Sequence, residues 1–141
     1  MKMELTRRYF FAAAHRLHHP GLSAEENARL YGKCNNPHGH GHNYALEVTL
    51  RGPVNPQTGM IASTAELDAF VEREILRAFD HKNLNRDVLA FRERVPTTEN
   101  LCIEIFRRLE KFPGAALARV RVEETAKNTF EYAGGPLERS E

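Results

Sequence analysis

The sequence predicts an α+β domain in which an antiparallel four-stranded sheet carries two helices on one face. Three observations predict it. Residues from Asn43 to Arg51 alternate strictly, with Tyr44, Leu46, Val48 and Leu50 set against Asn43, Ala45, Glu47, Thr49 and Arg51. Two later segments place apolar residues at helical spacing behind Ser/Thr caps. The order of elements, a short insertion aside, is strand, strand, helix, helix, strand, strand, which segregates helices from strands.

The first strand is expected from about Glu4 to Ala14, rich in aromatic and small apolar side chains, and ends at His15. Ser23-Ala24-Glu25-Glu26 is a capping box and opens a short helix to about Leu30. The second strand follows a histidine run. Asn55-Pro56-Gln57-Thr58-Gly59 reads as a turn, with Met60-Ile61 as a short extended piece behind it. A second box, Ser63-Thr64-Ala65-Glu66, starts a helix to about Phe79 whose Leu67, Phe70, Val71, Ile75, Ala78 and Phe79 share one face. Asp80 to Pro96 is polar and reads as irregular. Thr97-Thr98-Glu99-Asn100 caps another helix, striped by Leu101, Cys102, Ile105, Phe106 and Leu109 and stopped by Pro113-Gly114. Strands from Leu117 to Thr125 and around Thr129 to Ala133 complete a single domain spanning residues 1–141. An open four-stranded sheet has two free edges, so sheet joining between copies, and hence a homo-oligomer, is expected.

A chain of 141 residues and formal net charge +1, with both signs interleaved, lacks the basic excess of a nucleic-acid binder. No apolar run is long enough to span a membrane. The start, MKMELTRRYFF, has no secretory h-region, and two cysteines make no disulfide framework, so a reducing compartment, the cytoplasm, is expected.

The chemistry gathers in Cys34-Asn35-Asn36-Pro37-His38-Gly39-His40-Gly41-His42-Asn43-Tyr44, where three of seven histidines occupy alternate positions. Side chains two apart on an extended chain point the same way, so neighbouring imidazoles converge. If the first two strands pair antiparallel, His15 at the end of one meets His40 and His42 at the start of the next. Three neutral histidines with an open position suit catalytic zinc. Spacing alone serves a metal site and a histidine-rich surface loop equally. His18 and His19, flanking Pro20, read as loop residues.

Cys34 has two functional readings, a fourth ligand or a reactive thiol, and the neighbouring Lys33 favours thiolate. Cys102 lies on an apolar stripe and reads as core. Asp80-His81 follows a helix end, where a carboxylate beside an imidazole suits proton transfer, a pairing that also arises by chance. In the strand from Leu117, Ala118, Val120 and Val122 share one face with Glu124, while Arg119, Arg121 and Glu123 take the other. A carboxylate on an apolar face must find donors. A 2-amino-4-oxo-pyrimidine edge would supply two, and an internal arginine pair would also serve. Thr97, Thr98 and Glu99 suit polar ligand atoms at a helix start or are simply a good cap.

With these residues assembled, the chain resembles the 6-pyruvoyl-tetrahydropterin synthase family, which includes the 6-carboxy-tetrahydropterin synthases of queuosine biosynthesis. The resemblance runs through Ala14-His15-Arg16-Leu17, Tyr31-Gly32-Lys33-Cys34-Asn35-Asn36-Pro37, Gly39-His40-Gly41-His42-Asn43-Tyr44, Asp80-His81-Lys82-Asn83-Leu84-Asn85, Thr97-Thr98-Glu99-Asn100 and Glu124-Thr125. It implies the T-fold, a ββααββ unit whose sheets join between subunits into a barrel, commonly as a hexamer of two stacked trimers. It implies zinc on His15, His40 and His42, with Cys34 as base assisted by Asp80 and His81 from a neighbouring subunit. Glu124 would anchor the pterin, in a pocket lined by Thr97, Thr98 and Glu99. The implied substrate is 7,8-dihydroneopterin triphosphate, converted to 6-pyruvoyl-tetrahydropterin with loss of triphosphate. The alternatives are 6-carboxy-tetrahydropterin formation from the same substrate, or silent pterin binding. Members sharing Cys-Asn-Asn-Pro usually place five residues between the cysteine and His-Gly-His, as between Cys34 and His40. Queuosine-pathway members often place three, and His38 stands at that spacing. His38 is left as an extra histidine near the site.

Overall fold

Two thirteen-residue strands form the spine of the sheet. In the computed structural model, which describes residues 3–135, β1 (Met3–His15) runs antiparallel to β2 (His40–Gly52), in register from Met3 opposite Gly52 to His15 opposite His40. The alternation in β2 explains the sheet's two faces. Tyr44, Leu46, Val48 and Leu50 are all buried against the helices, each large side chain contributing about 1.5–3 kcal/mol by leaving water. The opposite face carries ion pairs instead: Glu4 takes hydrogen bonds from Arg51, its direct partner across the ladder, and from Arg119, which hold its carboxyl down at about 2.

The expected Ser23 capping box is present and opens α1 (Ala24–Tyr31). Its buried Asn27 accepts from the His19 amide and donates to the Leu22 and Ser23 carbonyls, tying the loop after β1 to this helix. Asn55 to Gly59 turns as expected, closed by Gly59 N–H to the Asn55 carbonyl at 2.7 Å. Met60 and Ile61 correct the expectation of an extended piece: they bend into the next helix, because the Met60 carbonyl is taken by the Asn55 amide within the turn.

Helix α2 (Thr64–Val71) starts at Ser63, whose hydroxyl accepts from the Glu66 amide. It continues through a π-turn at Glu72–Leu76 into α3 (Arg77–Phe79), ending where the periodicity predicted. The Glu74 carbonyl in this π-turn accepts from Arg108 at 3.3 Å. Beyond lies a second correction. Residues 80–96 are not irregular: β3 (Lys82–Asn83) adds a parallel edge to β1 at Ala13 and Ala14, and α4 (Leu84–Asp87) and a 3₁₀ turn at Leu89–Phe91 follow. Leu84, Val88 and Phe91 are buried, which anchors the segment.

Helix α5 (Thr98–Leu109) is capped by Thr97, whose hydroxyl accepts from the Asn100 amide. It packs its predicted stripe on the sheet and carries one buried carboxylate, Glu104, held by Arg94, Arg107 and Arg108. Strands β4 (Ala116–Thr125) and β5 (Asn128–Tyr132) close the sheet in the order β3-β1-β2-β4-β5, so five strands stand where four were expected, and the sheet is mixed. A register shift opposite Thr49 and Leu50 leaves Ala118 out of the ladder, so Leu117 rather than Ala118 packs towards the core there. From Val120 onwards the expected parity holds. Residues 1–2 and 136–141 of the expected domain lie outside the described residues. No described helix is long and apolar enough to cross a membrane.

Candidate metal and pterin site

The ladder itself assembles the site. Antiparallel partners project to the same face, so His15, opposite His40 and diagonal to His42, shares with both the face that bears the core. His15 is fully buried. Its Nδ1 lies 2.9 Å from the Pro96 carbonyl, which makes Nδ1 the protonated nitrogen and leaves the Nε2 lone pair free. That Nε2 is 3.1 Å from the Nε2 of His42. Burial is the main cause holding both imidazoles below the usual histidine range, which keeps them neutral and able to ligate.

Cys34 is delivered by a loop pinned to the chain just after β1. The Leu17 amide donates to the Cys34 carbonyl at 2.7 Å, and the Asn35 side-chain amide donates to the Leu17 carbonyl at 2.7 Å. Gly39 turns this loop into β2 with φ +87°, a left-handed conformation that favours glycine, and a Cβ there would press on the His15 carbonyl at 3.4 Å. The Cys34 Sγ then lies 3.9 Å from His42 Nε2. Burial, with a further contribution from the Glu124 charge, pushes the Cys34 thiol up.

Among the described residues, the group whose ligand atoms converge is His15, Cys34 and His42, all within 4.8 Å of one another. His40 is not the third member of this group. It stacks edge-on against His42, with ring centroids 4.6 Å apart, at the first position of β2. Its Cβ stands opposite that of His15, about 4.5–5.5 Å away, so its distance from the cluster is one of side-chain rotation, not of backbone placement. The donor set fits zinc. Bonds of about 2.0–2.1 Å to nitrogen and 2.3 Å to sulfur give tetrahedral edges of about 3.3 and 3.6 Å. The observed separations are 3.1 and 3.9 Å.

Glu124 points inward as its parity predicted, its side chain 13% exposed against 47% for Glu123. No arginine pairs with it among the described contacts. One oxygen lies 3.9 Å from His42 Nε2, and Thr98 donates its hydroxyl to the same oxygen. Thr98 is buried at the start of α5, Thr97 serves as the cap, and Glu99 is exposed.

Asp80 and His81 are not brought to this cluster within one chain. The pair clamps the backbone of Ala12: Asp80 Oδ1 accepts from its amide at 2.9 Å, and the His81 amide donates to its carbonyl at 2.6 Å. His81 is the only non-glycine among the described residues with positive φ, at 58°, a conformation that costs roughly 1–3 kcal/mol and concentrates at functional sites. Its ring is 83% exposed and 3.7 Å from Asp80. It borders a groove of about 570 Å³ lined by Ala12, Ala13, Ala14, Gly41, His42 and Asn43. Ala12, Ala14, Gly41 and Asn43 alternate with the cluster's histidines and project from the other face of the sheet. His38 is exposed, and neither it nor His18 and His19 joins the converging group.

Two participants were not expected from the sequence. The Pro96 carbonyl orients His15 across a separation of 81 residues, which no local pattern signals. Tyr44 was read only as one of the alternating residues of the second strand, yet its buried hydroxyl has no hydrogen-bond partner among the described residues. A polar tip on the face that bears His42 was the available sign.

Comparison with known proteins places the chain in one family. The family model described as 6-pyruvoyl tetrahydropterin synthase matches residues 4–135. The 6-pyruvoyl tetrahydrobiopterin synthase of Drosophila melanogaster is 48% identical over 132 residues, which span 92% of this chain and 79% of that protein. That of Homo sapiens is 46% identical over 132 residues, spanning 93% and 91%. The structure of Caenorhabditis elegans 6-pyruvoyl tetrahydropterin synthase superposes with a TM-score of 0.90 at 42% identity, covering 96% of this chain and 97% of that one.

Proposed function

This chain belongs to the 6-pyruvoyl tetrahydropterin synthase family, and on that premise we propose that it converts 7,8-dihydroneopterin triphosphate to 6-pyruvoyl-tetrahydropterin, releasing triphosphate. The observation that carries the reading is the meeting of His15, Cys34, His42 and Glu124 at one place, in a chain 46–48% identical to synthases so named.

His15, His40 and His42 would hold zinc, His40 turning in from its place opposite His15, which leaves the Cys34 thiol free beside the ion. Bound zinc would acidify the carbon-bound protons next to the substrate's side-chain hydroxyls by stabilising developing negative charge on oxygen. Glu124 accepts from the 2-amino group and ring N–H of the pterin, fixed in direction by the Thr98 hydroxyl. Thr97 and Glu99 frame the same helix start. Cys34 removes a proton from the side chain, and the Asp80–His81 pair of a neighbouring subunit returns one, so electrons move from side chain to ring without a redox cofactor. The active form is then a homo-oligomer, a hexamer of two trimers, acting in the cytoplasm on a small molecule rather than on nucleic acid or membrane.

Incubating the zinc-loaded protein with 7,8-dihydroneopterin triphosphate and identifying the product by mass spectrometry tests this. A 6-pyruvoyl product is expected. A 6-carboxy product with acetaldehyde would move the chain to the queuosine branch, and no turnover with zinc verified would leave a binding protein.

A further inference from the structure

Tyr44 is held firmly by its surroundings. It is 1% exposed, its ring stacks on Phe11 at 5.0 Å and meets the edge of His42 at 5.6 Å. Such a ring cannot swing its tip away. Its hydroxyl is nevertheless the one buried side-chain polar atom among the described residues without a hydrogen-bond partner. The ladder between β2 and β4 sets Ala45 opposite Glu123, so Tyr44 stands beside Glu124 on the face that bears His42. A phenol carries its hydrogen at neutral pH and can donate it. Thr98, whose hydroxyl donates to Glu124, forms no hydrogen bond of ordinary geometry with Tyr44. Proteins seldom leave such a group unpaired unless something else completes it.

The chemistry of the proposed ligand says what. Glu124 offers only acceptors. A 2-amino-4-oxo-pyrimidine edge presents two donors and, next to them, a carbonyl acceptor, so a matching site needs one donor beside the carboxylate. Resting on the function proposed above, we infer that Tyr44 is a further substrate-binding residue, whose hydroxyl donates to the ring carbonyl of the pterin held by Glu124. Carboxylate and phenol together would then read the whole ring edge and reject rings lacking that acceptor.

The test uses the zinc-loaded full chain and neopterin, followed by its own fluorescence. Tyr44→Phe should weaken neopterin binding about tenfold, the effect of one lost hydrogen bond left unreplaced. Zinc content should stay unchanged, and the melting temperature unchanged or raised, because the variant removes a polar atom that the free protein leaves unpaired. The 4-thioxo analogue, which keeps the ring N–H but weakens the acceptor, should bind less well than neopterin to the wild type and equally well to the variant. Unchanged neopterin binding would overturn the inference. So would weakened binding together with a lowered melting temperature, which would mean that Tyr44 pairs within the protein and acts on Glu124. Failure of the function itself shows separately, as a wild-type protein that binds no neopterin.

Discussion

The Nε2 atoms of His15 and His42 face each other at 3.1 Å, and the Nδ1 of His15 is already committed to Pro96. Two ring nitrogens so placed must share a proton or a cation. We expect one zinc per chain, and His15→Ala to lower affinity by more than the roughly 10–100-fold cost of losing an outer partner. The pH dependence follows from the depressed pKa values. A ligand imidazole must be neutral, and these rings stay neutral below the ordinary value of about 6.5. Zinc should therefore be retained as pH falls through that value and released only lower. Dialysis against buffers of decreasing pH, with metal analysis, measures this.

Cys34 decides between two uses of the same cluster. If the three histidines hold zinc, Cys34→Ala keeps metal and fold while turnover falls by about 10²–10⁴, the worth of a positioned base. If Cys34 is a ligand in a closed cage, the same variant loses zinc and stability. Because burial raises this thiol, metal-free protein should react slowly with iodoacetamide at neutral pH. Metal content, melting temperature and product formation in the variant distinguish the two.

Glu124 and Glu123 differ by parity alone. Glu124→Gln should abolish measurable pterin binding, since an amide accepts at one atom and repels the ring N–H with the other. Glu123→Gln, on the exposed face, should change affinity less than about twofold. Equal effects would mean that the bulge in β4 does not hold the parity in solution.

Glu104 ties α5 to the segment after α4 through Arg94, and its loss should unfold more than the helix. Burial would raise its pKa, but hydrogen bonds from Arg107 and Arg108 outweigh burial and leave it lowered. Removing a buried carboxylate from three arginines, themselves partly solvated, should cost about 2–3 kcal/mol in Glu104→Ala. A depressed carboxylate stabilises above its unfolded value, about 4.3, and loses that contribution as pH falls towards its folded value. The difference in urea midpoint between wild type and variant should therefore shrink in acid.

What the sequence makes legible here is what period and caps control. Ser23, Ser63 and Thr97 start their helices where expected, and the alternation of β2 carries His40 and His42 onto the same face as Leu46. Side-chain rotation lies beyond such patterns, which is why Cys34 stands where His40 was expected. The short strand at Lys82–Asn83 was missed because two residues show no period, and its pairing is supported by the Asp80 carboxylate and the His81 amide, both bonded to the Ala12 backbone. Ala118 was misplaced for a similar reason: a bulge changes parity without changing composition.

The position of His81 leads to the last prediction. Its exposed ring, held at positive φ, is not among the groups that converge with Cys34 in its own chain, and the proposed proton return therefore calls on a second copy. Cys34→Ala and His81→Ala homomers should each be nearly inactive. Mixed in equal amounts under conditions that let subunits exchange, they should regain on the order of one quarter of wild-type activity, because a quarter of the sites would pair an intact Cys34 with an intact His81. The same mixture without exchange should stay inactive. If exchange is shown by mass spectrometry and no activity returns, both groups act within one chain or His81 takes no part.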